Sequence, residues 1–156
     1  MSNDIDEILR KIETLRKNGM FAQAIDAIQT GLRKESGDFK LLMAYGKLAF
    51  ESRDFYTSAL VFEDLAQKFP DQQGVLIEAA IAWSRLGEVD KSIGYCKDAL
   101  KLSPSNQKAL LSLGDILERS NQADEAEALL DSTELKLEDN GNYQRLRVRI
   151  AISNKR

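Results

Sequence analysis

The sequence predicts an all-α fold of about four stacked helix–turn–helix hairpins, and three observations predict it. Residues of like size recur every 34 positions, and apolar residues within each recurrence lie three and four apart. Each recurrence is also broken near its middle by residues that end helices. The two prolines of the chain, Pro70 and Pro104, stand 34 residues apart. The same step aligns small residues in two columns, one of Gly46, Ala80 and Gly114, the other of Ala24, Ser58, Ser92 and Ala126. Large apolar residues fall into register as well: Ile8, Leu42, Leu76 and Leu110, then Leu15, Ala49, Trp83 and Leu117, then Ile28, Phe62, Cys96 and Leu130. Several columns at one interval mark an internal repeat.

The units fall at about 5–38, 39–72, 73–106 and 107–140, all within one domain of residues 1–156. The first breaks at Asn18-Gly19 and starts its second helix near Phe21. In the second, Leu42, Tyr45, Gly46 and Ala49 set one helical face, Ser52-Arg53-Asp54 ends it, and Phe55 opens the next helix. The third turns at Leu86-Gly87 before Val89, and the fourth at Ser120-Asn121-Gln122 before Ala123. Glycine or asparagine at such a place suits the left-handed residue that closes a helix. Ser103-Pro104 reads as an N-cap followed by proline at the first helical position, and Phe69-Pro70-Asp71 as the same device one unit earlier. In residues 141–156, arginine alternates with apolar residues from Arg145 to Ile152, which on pattern alone is a strand. A lone strand has no sheet to join, whereas a helix sets Leu146 beside Ile150 and Val148 beside Ile152. The helix is the preferred reading, as a cap on the last hairpin.

Composition narrows the chemistry. With 156 residues, 43% apolar and 30% charged, the chain is long enough to bury a core. It has no apolar run near the roughly 20 residues of a spanning helix, so no membrane insertion is expected. Lysine and arginine number 22 against 25 acidic residues, a net charge of −3, and the basic excess of a nucleic-acid binder is missing. There is no histidine, hence neither the commonest general base near neutral pH nor the commonest metal ligand. Neither a Gly-rich phosphate loop nor a Cys-x-x-Cys pair is present. The expectation is a protein that is not an enzyme and holds no cofactor or metal. Cys96 is the single cysteine and cannot form an internal disulfide. It shares a column with Phe62 and Leu130, so it reads as buried and unreactive. The acidic start, Asp4 to Glu7, contrasts with a signal peptide, and the expected location is the cytoplasm.

At these residues the sequence resembles the tetratricopeptide repeat family. Leu76, Ala80, Trp83, Ser92, Cys96, Ala99 and Pro104 follow the family pattern in one unit, and Leu42, Gly46, Ser58, Phe62 and Pro70 in the unit before. The match weakens outward. The first unit has Ile12 at the small site and Ser36 for proline, and the last has Thr133 for alanine and Glu138 for proline. Outer repeats face water on one side and drift accordingly. The resemblance implies a right-handed superhelical α-solenoid of about four repeats plus a capping helix. It also implies a concave groove, lined by the first helices, that holds peptides.

Carrying the inward sites over gives a row of Leu9, Met43, Ile77 and Leu111, a second of Glu13, Lys47, Ile81 and Asp115, and a third of Arg16, Phe50, Ser84 and Glu118. Lys40 and Lys108 edge one side, Arg85 and Arg119 the other, and Arg145 and Arg149 join the groove if the tail keeps register. The expected groove residues are therefore Leu9, Lys40, Met43, Lys47, Phe50, Ile77, Ile81, Arg85, Leu111, Arg119, Arg145 and Arg149. Two readings of the apolar row stay open: packing against the adjacent first helix, and contact with a ligand. Trp83 and Phe62 read as core. The subfamily that clamps chaperone carboxylates uses lysine and asparagine where this chain has Leu9 and Glu13, so that assignment is rejected. An apolar row flanked by mixed charge suits an amphipathic helix or an apolar peptide. Arg145 and Arg149 would attract an acidic ligand end.

The functional expectation is a non-catalytic adaptor that binds a segment of another protein, with no nucleic-acid partner. Two alternatives stand beside it: a regulatory or oligomerising module of a larger enzyme, and a small chaperone like those of type III secretion. The second of these predicts a homodimer.

Overall fold

The computed structural model describes residues 2–133 and 140–155, and within them there are nine helices and no strand. Glu138 and Arg156 lie outside the described residues. The helices are α1 (Ser2–Lys17), α2 (Phe21–Lys34), α3 (Phe39–Glu51), α4 (Phe55–Lys68), α5 (Gln73–Arg85), α6 (Val89–Leu102), α7 (Gln107–Arg119), α8 (Ala123–Asp131) and α9 (Gly141–Ser153). The second helices start at Phe21, Phe55, Val89 and Ala123, where the sequence places them. The first helices start at Phe39, Gln73 and Gln107, and α9 begins 34 residues after α7. The tail is thus a helix in first-helix register, and its arginine alternation does not make a strand.

The turns inside the hairpins share one backbone device. Gly19, Arg53, Gly87 and Asn121, each 34 residues from the last, have positive φ of 73°, 67°, 80° and 65°. The next residue's N–H then reaches back five positions: Met20 to the Leu15 carbonyl, Asp54 to Ala49, Glu88 to Trp83 and Gln122 to Leu117. This left-handed closure satisfies carbonyls that a helix end leaves unpaired.

The links between hairpins differ from the sequence reading. Ser103 closes α6 as its C-cap and does not open α7. Its carbonyl accepts from the Asn106 N–H at 3.1 Å, so Pro104 sits second in a tight turn, where its fixed φ is favourable. Asn106 is the N-cap of α7 and accepts from the Ala109 N–H at 3.0 Å. Phe69 likewise closes α4, and α5 begins after Gln72. The N-caps Asp38, Gln72, Asn106 and Asn140 form their own column at the repeat interval.

The chain divides into two compact units, Met1–Pro70 and Asp71–Arg156. In the first, Ile5, Ile12, Ala24, Ile28, Leu41 and Leu48 form a core among α1, α2 and α3. Full burial of a side chain such as Ile28 or Leu41 is worth roughly 1.5–3 kcal/mol. The α3–α4 crossing is tighter. Gly46 lies under the Phe62 ring, and the buried Ser58 hydroxyl donates to the Gly46 carbonyl at 2.8 Å. The glycine is small because the ring needs the space, and the serine is polar because that carbonyl is there to accept. Phe39 and Phe69 meet edge to face at 5.0 Å across the ends of the same hairpin.

In the second unit, Ala80, Cys96, Leu113, Ile116, Leu117, Ala126, Leu130, Leu146 and Ile150 form one core. Leu146 and Ile150 pack inward, Leu146 against Gly114 of α7. Of the two pairs that the helix sets one turn apart, Leu146 and Ile150 are buried, while Val148 and Ile152 are exposed. Trp83 is buried, with the Lys91 ammonium 3.6 Å from its ring centroid. Cys96 is buried and free, and burial pushes its thiol up to about 12.

Candidate functional site: the faces of the first helices

The inward-facing rows divide between the two units. In the first unit, Leu9 and Met43 are half-buried, Lys47 is exposed, and Phe50 meets Phe55 edge to face at 5.0 Å. Leu9 packs on the core of α1, α2 and α3. Lys40 and Arg16 on this face are both paired. Lys40 Nζ lies 3.2 Å from Asp6, and Arg16 bonds Glu13 at 2.8 Å and Glu51 at 3.1 Å. The Arg16 hydrogen bond, with Lys17 adding its charge, holds the Glu13 carboxyl down to about 2. The same two carboxylates raise the Arg16 guanidinium above its ordinary value.

The second unit has a different arrangement. Side chains of α5, α7 and α9 enclose a cleft of about 630 Å³. Ile81, Leu111, Ile116 and Leu146 supply apolar surface, and Arg85, Lys108, Arg119, Arg145 and Arg149 bring five cations to its edge. Asp115 is the one acidic residue among the cleft's described lining. It bonds the Arg149 guanidinium and lies 3.7 Å from that of Arg119, so one carboxylate orients two arginines. Glu118 lies 3.3 Å from Arg149 Nε and accepts from the Ser153 hydroxyl at 3.0 Å. Lys108 is held by Glu78 at 2.6 Å. Arg145 has no acidic partner within ion-pair distance among the described residues.

Of the expected groove residues, Ile81, Arg85, Leu111, Arg119, Arg145 and Arg149 are brought together around this cleft. Leu9, Lys40, Met43, Lys47 and Phe50 belong to the first unit. Ile77 is corrected: at 2% exposure it is a core residue with no surface to offer a ligand. Its neighbours explain why, since Val75, Leu76, Ala79 and Ala80 are buried too and α5 is enclosed on several sides.

Sequence reasoning missed Asp115 as the hub of the cleft and missed the ladder that ties first helices together. Lys40–Asp6, Arg149–Asp115 and Arg16–Glu51 join residues 34, 34 and 35 positions apart. A scan for opposite charges at the repeat interval would have found the first two, and one allowing a step of one residue more would have found the third. Among the described residues no group of three or more metal-ligating side chains lies together, and no helix is long and apolar enough to cross a membrane.

Comparison with known proteins agrees with this architecture. Two family models, both described as tetratricopeptide repeat, match residues 9–73 and 89–150. No curated protein matches the chain in sequence. Among solved structures, a tetratricopeptide repeat protein from Parabacteroides merdae ATCC 43184 superposes with TM-score 0.78 at 22% identity, over 96% of this chain and 59% of that one. The thermophilic protein TTC0263 of Thermus thermophilus gives 0.70 at 21%, over 95% and 80%. The TPR2B domain of yeast Sti1, in its complex with pHsp70, gives 0.66 at 13%, over 74% and 95%. At such identities the likeness is one of fold.

Proposed function

Because the chain belongs to the tetratricopeptide repeat family, we propose that it is a non-catalytic scaffold that holds a segment of a partner protein in the cleft of α5, α7 and α9. Members of this family are generally scaffolds for protein–protein interaction. The observation that carries the reading is the pairing of an apolar wall with a cation that has no described partner. Ile81, Leu111 and Leu146 can bury an apolar side chain, while Arg145 and the two arginines oriented by Asp115 face an acidic group. The ligand that fits is an amphipathic segment carrying at least one carboxylate beside an apolar residue. The Sti1 domain with pHsp70 supports the general use of this fold, which there accommodates another protein. The free, buried Cys96 makes no demand for an oxidising compartment, and the cytoplasm is the proposed location.

The test is a peptide array of acidic and apolar combinations probed with the intact chain and with two variants. Leu111→Asp combined with Arg145→Glu should abolish binding. Lys47→Glu, on the first unit, should leave it within about twofold, a change of under roughly 0.5 kcal/mol. Equal capture by the cleft variant and the intact chain would remove the cleft from consideration.

A further inference from the structure

We propose that the chain self-associates head to tail, the outer face of α9 in one copy seating in the open groove between α1 and α2 of another. Two surfaces outside the cleft point to this. On α7, Leu110, Gly114 and Leu117 are buried, and the hairpin partner α8 packs on α7. Their register equivalents on α9 are Gln144, Val148 and Ala151, and all three are exposed. Val148 is 59% exposed and Ile152, one turn on, 51%. Leu146 and Ile150 occupy the opposite, buried side, so α9 is apolar on both faces while only one is covered. Of its arginines, Arg147 is paired with Asp131 and Arg149 with Asp115 and Glu118, which leaves Arg145, and the exposed Lys155 just past its end, as cations without an acidic partner among the described residues.

The second surface is the groove between α1 and α2. It has a volume of about 480 Å³, with Ile8, Leu15, Ala27 and Gly31 in its walls. A neighbouring cleft of about 390 Å³ continues it along the start of α1. Asp4, Glu7, Asp26 and Glu35 edge the two, against Lys11 and Lys34. None of these four carboxylates forms an ion pair with a described residue. A basic helix with an exposed apolar pair therefore meets an apolar groove with an acidic edge. Pairing α9 with α9 would set cations against cations, and pairing groove with groove would set carboxylates against carboxylates.

Such a contact is heterologous, each copy using a different surface, so it can propagate from copy to copy. One helix face in one groove buries less than the roughly 1,200 Å² of a standard interface, so the association is weak and fast. Exposed charge pairs also make it salt-sensitive.

Sedimentation velocity on the 156-residue chain tests this, with two variants whose substitutions lie on exposed or half-exposed surface. The intact chain should grow in weight-average size between about 10 µM and about 1 mM in low salt. It should return toward monomer at about 0.5 M salt, where the screening length falls to a few ångströms. The α9 variant, Val148→Glu with Ile152→Glu, and the groove variant, Glu7→Lys with Asp26→Lys, should each stay monomeric, with far-UV circular dichroism unchanged. Mixed, they should form a one-to-one complex that grows no further, because one retains its helix face and the other its groove. A monomeric intact chain across that range, a mixture that stays monomeric, or undiminished self-association of either variant would overturn the proposal.

Discussion

Replacing Gly46 by alanine puts a methyl carbon 2.6 Å from Cζ of Phe62, and 2.8 and 2.9 Å from two further ring atoms. An unstrained carbon–carbon contact needs about 3.5–4.0 Å, so the overlap is near 1 Å. Phe62 is 1% exposed and has nowhere to turn, so α3 and α4 must separate, stretching the hydrogen bond from Ser58 to the Gly46 carbonyl. Overpacking of this kind costs about 1–3 kcal/mol, and strain on a buried hydrogen bond adds about 1. The gain in helix propensity from glycine to alanine returns up to about 1, for a net loss of about 1–3 kcal/mol. Urea unfolding followed by far-UV circular dichroism measures it. Two other glycines serve as internal controls. At Gly114 one atom, the end of the flexible Leu146 side chain, comes within 2.9 Å, and at Gly94 nothing lies within 4 Å. The expected order of stability is Gly94→Ala above the intact chain, Gly114→Ala near it and Gly46→Ala below. Adding Phe62→Leu to Gly46→Ala should cost less than the two single losses summed. A Gly46→Ala protein as stable as the parent would refute the steric account of the small-residue column.

Arg53 holds a positive φ of 67° where two of the other three turns have glycine, so Arg53→Gly should stabilise by about 0.5–1 kcal/mol, read as a higher urea midpoint. Gly19→Ala, at φ 73° with no other obstruction, should destabilise by about 1 kcal/mol, and an unchanged midpoint would contradict the turn geometry. The Glu13 carboxyl is held at about 2 against an ordinary 4.5, so its contribution is complete above the ordinary value and is lost as pH falls through the folded one. Stability should therefore decline between those two values, and the decline should be shallower in Glu13→Gln. Cys96, buried with its thiol at about 12, should resist a thiol reagent at neutral pH until denaturant unfolds the second unit, whereas prompt labelling of the native chain would contradict its burial.

The starts of α2, α4, α6 and α8 and the four left-handed turns were legible in the sequence because each depends on a few adjacent residues, and the repeat supplies each signal several times. Ser103-Pro104 misled for an instructive reason. A serine before proline suits a helix start, but the chain must first reverse direction, and the tight turn closed by the Asn106 N–H moves the start beyond Asn106. The tail shows the limit from the other side. Alternating Arg145 to Ile152 is compatible with a strand or a helix, and burial of Leu146 and Ile150 in the core shared with α7 and α8 selects the helix.

The sequence by itself determined the period, the paired helices, the small residues at their crossings and the absence of histidine chemistry. All are set by local backbone preference and by side-chain size along the chain. Tertiary structure alone decided that Ile77 is core, that Asp115 binds two arginines, and that Arg145 stands at the cleft edge without a described acidic partner. Burial and ion pairing depend on what stands beside a side chain in space, and here those neighbours lie about one repeat away in the chain.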